Sequence, residues 1–195
     1  MATGHSRRGR STGRGFDGPV PGSLAAEGPP GDPETVARTV CLRMLTAAPR
    51  TRAELADALA KREVPDDVAD RVLDRFTEVG LIDDAAYADA WVRSRHTGRG
   101  LARRALAQEL RRRGVDDGLV RDAVEKLDPE EELATARALV AGKLPGTRGL
   151  DRPRRVRRLA GMLARKGYPP GVAMRVVEEA IGAEDGLAVP DPFDV

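Results

Sequence analysis

The sequence predicts an all-α chain: three tandem three-helix repeats in an elongated, curved array behind a disordered N-terminal tail. Three observations carry that expectation. Of 195 residues 41% are apolar but only 3% aromatic, and Val, Ile and Thr do not fall into alternating runs, which disfavours sandwiches and barrels. Ala, Leu, Arg, Glu and Asp dominate, and most of these support helices. Finally, one leucine pattern returns twice at a near-constant interval.

That pattern is Leu55-x3-Leu59-x-Lys61-Arg62-Glu63-Val64, then Leu106-x3-Leu110-x-Arg112-Arg113-Gly114-Val115, then Leu159-x3-Leu163-x-Arg165-Lys166-Gly167-Tyr168. The match runs on through Val68, Leu119 and Val172 to Val72, Ala123 and Val176, at offsets of 51 and then 53 residues without slip. A period near 50 with helical content throughout marks a helical array.

In chain order, residues 1–33 hold eight glycines and five prolines; they bury too little apolar surface to offset ordering entropy, and a solubilising tail is expected. Residues 34–82 form the first repeat: a helix over Thr35–Ala48, a second around Leu55 and Leu59, a third from near Asp66. Residues 83–128 form the second, with helices over Asp84–His96, around Leu106 and Leu110, and from near Asp117. Residues 129–183 form the third, with helices over Pro129–Ala141, around Leu159 and Leu163, and from near Pro170; residues 142–153 are a long Gly/Pro-bearing connection. Residues 184–195 read as a flexible acidic tail. Gly114 and Gly167 follow basic residues at a helix end, where a C′ residue at positive φ is expected. Glu63 takes that place in the first repeat, which predicts a strained or different turn. Asp83, Asp84, Asp116 and Asp117 stand at N-cap positions. A unit of about 45 residues is small for independent folding, so neighbouring repeats are expected to share apolar faces. Tyr87 and Trp91, four apart, anchor the middle repeat, and Cys41 belongs in the core.

Several functions are excluded at this level. The lone Cys41 rules out an internal disulfide, and two histidines, His5 and His96, make no His-rich metal site. Gly142-Lys143 lacks the remaining residues of a phosphate-binding loop, and Gly98-Arg99-Gly100 lacks the third glycine of a dinucleotide fingerprint. His96, at the end of an Arg-rich helix, is expected to cap or meet solvent. No apolar run approaches a membrane span. A cytoplasmic, monomeric non-enzyme without cofactor or metal is expected.

Net charge is only +2, but it is unevenly placed. Arg93–Arg113 holds eight arginines against Glu109, and Lys143–Lys166 nine basic residues against Asp151. Between Glu54 and Asp89 eleven acids face four basic residues. With Leu106 and Leu110 taken as a buried stripe, Arg104 and Arg111 point away from it and Arg112 lies to one side. With Leu159 and Leu163, Arg157 points away, flanked by Arg154, Arg158 and Arg165. Arg103, Arg113 and Lys166 fall nearer the buried side, where long stems can snorkel. The outward positions of the first repeat are Ala53, Asp57 and Ala60. Two basic second helices beside a non-basic one make a positive strip suited to a polyanion or nucleoprotein.

Gly80-Leu81-Ile82-Asp83-Asp84, Tyr87-Ala88, Trp91-Val92, Arg95, Gly98, Arg103, Leu106, Leu110 and Arg113-Gly114-Val115 together resemble the central motif of the bacterial RecX regulators. The resemblance spans roughly residues 35–183. It implies a protein that binds the RecA–DNA filament in its helical groove and down-modulates strand exchange, ATP hydrolysis and coprotease activity, with weak direct DNA binding. The candidate partner-binding residues are Arg95, Arg99, Arg103, Arg104, Arg111, Arg112, Arg154, Arg157, Arg158 and Arg165. Two other readings compete. Residues 51–83 alone resemble a winged helix, although the segment after Asp83 has helical spacing and the would-be recognition helix is acidic. A generic helical-repeat adaptor for an acidic protein is the third.

Overall fold

The computed structural model describes residues 31–187. Among them run nine α-helices and no strand: α1 Pro33–Ala47, α2 Arg52–Ala60, α3 Asp66–Glu78, α4 Asp84–Arg99, α5 Arg103–Arg112, α6 Asp117–Glu125, α7 Pro129–Lys143, α8 Arg152–Arg165 and α9 Pro170–Leu187. The winged-helix alternative fails here, because the segment where its hairpin would stand is α4. Expectations for residues 1–30 and 188–195 lie outside the described residues. Glu184 and Asp185, expected in a loose tail, belong to α9.

Local chemistry explains the boundaries. Asp83, Asp116, Asp128 and Asp151 accept backbone N–H bonds from Ala86, Gly118, Glu130 and Arg154 at 2.7–3.0 Å, satisfying N–H groups that a helix start leaves open. Thr51 caps α2 in the same way, accepting from the Glu54 amide at 3.1 Å. Asp84 instead reaches across to the Arg52 amide, at 2.9 Å, and Asp117 pairs with Arg111. The connection after α7 is partly ordered as a 3-10 turn over Pro145–Thr147.

The second helix of every repeat ends alike. The amides of Val64, Val115 and Tyr168 reach the carbonyls of Leu59, Leu110 and Leu163 at 3.2 Å, and those of Glu63, Gly114 and Gly167 reach Ala60, Arg111 and Ala164 at 2.9–3.0 Å. These are the paired bonds of a Schellman ending, with the following apolar residue folded back onto the helix. The C′ residue has φ of 56° at Glu63, 74° at Gly114 and 90° at Gly167. The first repeat thus makes the same turn as the others, with a glutamate held in a conformation that disfavours any Cβ.

Each repeat buries its own core. Leu55, Leu59 and Leu73 close the first with Cys41; Leu106, Leu110 and Val120 the second; Leu159, Leu163, Val176 and Ile181 the third. The helices pack chiefly within their own repeat, α1 and α2 on α3, α4 and α5 on α6, α7 and α8 on α9. The shared apolar faces expected between repeats are small: Ala102 of the second repeat is buried in the core of the third, and Gly100 lies against Leu139, while small residues and hydrogen bonds make up the rest of the joints. At both joints the C-terminal turn of a second helix meets the N-terminal end of the preceding one. A Cβ on Gly114 would lie 2.3 Å from the Ala53 Cβ, and one on Gly167 2.6 Å from the Ala105 nitrogen. Ala53, read as an outward position, is half-buried for that reason.

Candidate nucleoprotein interface

The joints fix where the basic side chains stand. At each, the carbonyl of the C-cap residue, left open by its own helix, is taken up by the preceding repeat. Thr51 Oγ1 donates to the Arg113 carbonyl at 2.7 Å, and the Ala102 amide donates to the Lys166 carbonyl at 2.8 Å. The C-terminus of α8 therefore abuts the start of α5, and that of α5 the start of α2.

Arg113 is held rather than displayed. Its Nη1 lies 2.5 Å from Glu54, and its guanidinium sits 3.9 Å from the Trp91 ring centroid. Arg95 stacks on the same ring at 4.1 Å, and the indole N–H donates to Glu109 at 2.9 Å. Cation–π contacts of this kind contribute about 0.5–2 kcal/mol. Tyr87 stacks on Trp91 with centroids 5.8 Å apart. The two aromatics are thus half-buried anchors of the first joint as well as of the middle repeat. Beside them opens a groove of about 560 Å³ with Leu45, Leu81, Tyr87 and Trp91 in its wall, and Leu81 is 48% exposed.

The second joint is built from different groups. Arg103 donates from its backbone to Glu132 at 2.9 Å and from its guanidinium to the Leu127 carbonyl. Lys166 Nζ donates to the Arg99 carbonyl, and Tyr168 Oη to that of Gly100 at 3.2 Å. Burial pushes the Tyr168 phenol up to about 12, which keeps this donor protonated. His96, expected at the surface, is buried instead. Its Nδ1 stands 2.9 Å from the Leu101 carbonyl, which can only accept, so Nδ1 carries a hydrogen; Nε2 meets Thr135 Oγ1 of the third repeat at 3.0 Å.

The ten arginines singled out from the sequence therefore separate by environment. Arg95 and Arg103 are half-buried and serve the joints. Arg111 and Arg154 are exposed but carry carboxylate partners, Asp117 at 2.6 Å and Asp151 at 3.4 Å. Arg99, Arg104, Arg112, Arg157, Arg158 and Arg165 are exposed, and no ion pair engages their side chains among the described residues. The remaining arginines of the third repeat are neutralised by acids of α9: Arg148 and Arg155 meet Glu184, Arg152 meets Glu178 and Asp185, and Arg137 and Arg175 meet Glu179. Arg155 is buried, four residues before Leu159 on the same stripe as Leu159 and Leu163, and its acidic partner Glu184 lies 29 residues downstream. On α2, Arg52 is engaged by Asp70 and Asp74 of α3. Exposed basic side chains without an ion pair thus collect on α4, α5 and α8, and the first repeat holds fewer of them, Arg43, Lys61 and Arg62.

Comparison with known proteins adds the lineage. Family models for the first, second and third three-helix domains of RecX match residues 37–76, 83–124 and 130–177. The chain belongs to the RecX family. It is 61% identical over 168 residues to the regulatory protein RecX of Streptomyces lividans, covering 86% of this chain and 89% of that one. With its Thermobifida fusca counterpart it shares 59% over 178 residues, covering 91% and 94%. Among solved structures, the fold matches RecX from Lactobacillus salivarius with a TM-score of 0.70 at 19% identity, over 76% of this chain and 96% of that one. The RecX family is one of regulatory proteins with all-helical repeats, and no described helix here is long and apolar enough to cross a membrane.

Proposed function

We propose that this chain acts in the cytoplasm as a monomer that binds the RecA–DNA filament and lowers strand exchange, ATP hydrolysis and coprotease activity. The observation that carries the reading is the set of six exposed, unpaired arginines on α4, α5 and α8. Unmatched charge of one sign is a recognition surface for the opposite sign. The apolar groove beside Trp91 favours a protein component in the partner, since exposed apolar surface of this kind suits protein contact. Membership of a family of regulators supports action on another protein's activity rather than chemistry of its own.

The test is DNA-dependent ATP hydrolysis by RecA from the same source, titrated with this protein. Inhibition below equimolar amounts is expected, and its absence at equimolar folded protein overturns the reading. Naked duplex binding should be weak and salt-steep, with log K falling at about 0.9 per phosphate contacted, so roughly 4 for four contacts. Filament binding should persist at salt where duplex binding has vanished. Reversal of Arg104, Arg111, Arg157 and Arg158 to Glu should abolish inhibition.

A further inference from the structure

The third repeat holds a cleft of about 440 Å³ between the end of α7, the turn after it and α8, and three cations line it: Lys143, Arg158 and Arg165. No Asp or Glu lines this cleft, and no ion pair engages any of the three side chains among the described residues. Three acids of α9, which packs on α8, are engaged by other arginines: Glu178, Glu184 and Asp185 by Arg148, Arg152 and Arg155. Like charges gathered without counter-charge repel, and the arrangement is favourable only when an anion enters.

The backbone on one side of the cleft is accessible. Gly142 and Gly146 line it, and a Cβ at either would meet nothing within 4 Å, so the approach to the backbone is clear. Arg158 and Arg165 are two turns apart on one face of α8, about 10 Å along the axis at 1.5 Å per residue. That spacing suits an extended anion carrying successive charges. The positive surface continues past the cleft, since Lys166 Nζ on the Arg99 carbonyl brings Arg99 to the C-terminal end of α8, and Gly167 against Ala105 brings Arg104 there too.

We infer that this cleft is a phosphate-binding site that seats adjacent phosphates of a nucleic-acid strand, with Lys143, Arg158 and Arg165 as the contacting groups. It deepens the function proposed above by locating the nucleic-acid contact, and it holds for the chain without RecA. Contacts to phosphate position a strand without reading its sequence, so binding here is indifferent to base composition.

The experiment is fluorescence anisotropy of a labelled oligothymidine strand against salt, with no RecA present. It compares the wild type, the triple variant Lys143→Ala, Arg158→Ala, Arg165→Ala, and a control, Arg38→Ala, Arg71→Ala, Arg75→Ala, that removes equal charge from α1 and α3. The cleft variant should lose at least about tenfold in affinity, and its salt slope should fall by about 0.7 per lost contact, roughly 2 in all. The control should keep most of both. Arg158→Lys with Arg165→Lys, which retains the charge, should keep the slope and covers the case of a misfolded triple variant. Equal losses in cleft and control variants would overturn the inference. So would amide shifts at Lys143 and Arg158 in NMR spectra on adding tripolyphosphate or an oligoglutamate but not the single strand. A chain that binds the strand through this cleft yet leaves RecA hydrolysis untouched defeats the regulator reading and leaves this one standing.

Discussion

The turn after α2 and the turns after α5 and α8 share a backbone and differ in residue. All three enter positive φ and close the same two hydrogen bonds, yet the first carries Glu63 and the others glycine. The neighbour makes the difference. Gly114 and Gly167 lie against Ala53 and Ala105 of the preceding repeat, whereas among the described residues no repeat precedes that of Glu63. Positive φ alone imposes a penalty that a protein can carry; positive φ together with close approach leaves glycine as the residue that fits. The residue at this turn therefore records whether another repeat is docked there.

The largest expected effect attacks that distinction directly. Gly167→Ala should lose about 2–4 kcal/mol in denaturant unfolding, from the positive-φ penalty and the overpacking of a backbone contact together. Gly114→Ala should follow closely, because the atom it meets is the side-chain carbon of Ala53. A cost of only about 1 kcal/mol at both sites would match the φ penalty alone and show that the joints carry no packing. Next, Thr51→Val removes both the cap of α2 and the hydroxyl held by the Arg113 carbonyl, and should cost about 1–3 kcal/mol. The reverse change sharpens the comparison: Glu63→Gly should raise stability by about 0.5–1 kcal/mol, since the turn is kept and the strain relieved.

Why the joints were harder to read than the helices follows from these residues. Leucine spacing, Asp caps and the C′ glycines are local signals within one helix and its flanks, and they placed the three repeats and all nine helices. Contacts between repeats join residues from 29 positions apart, as in Arg103 with Glu132, to 68, as in Gly100 with Tyr168, and no period announces them. A helical wheel separated outward from inward arginines but could not say which outward ones have acidic partners, and Arg111 with Asp117 is the instance. His96 was misplaced for the same reason, its partner Thr135 being 39 residues away. A basic residue just before each C′ glycine, repeated at Arg113 and Lys166, was the available hint that these side chains serve the joint.

Two smaller effects test the charge sorting. The Arg148 and Arg155 guanidiniums hold the Glu184 carboxyl below its usual value near 4.5. A depressed folded-state value stabilises above the unfolded one, so this contribution is complete at neutral pH and is lost as pH falls from about 4.5 through the folded value. Glu184→Gln should therefore flatten part of the acid dependence of thermal unfolding while lowering the melting temperature at pH 7. Smallest of all, Arg104→Glu, Arg157→Glu and Arg158→Glu should each shift stability by no more than about 0.5 kcal/mol, as exposed charges without partners contribute little. A large loss in any of them would place that arginine in a joint.

The chain has a single tryptophan, and the fold sets it where Arg95 and Arg113 cover its ring and Glu109 accepts its N–H. Arg113 is tied to the first repeat through Glu54 and Thr51. Intrinsic emission from Trp91 is therefore a built-in gauge of the first joint: opening it strips a guanidinium from the indole and changes the polarity the excited state feels. The second joint holds Tyr168 in place of a tryptophan, so its opening passes dark when tryptophan alone is excited. Emission and circular dichroism followed together through unfolding thus tell whether the array parts at one seam before the other, without a label or an added mutation.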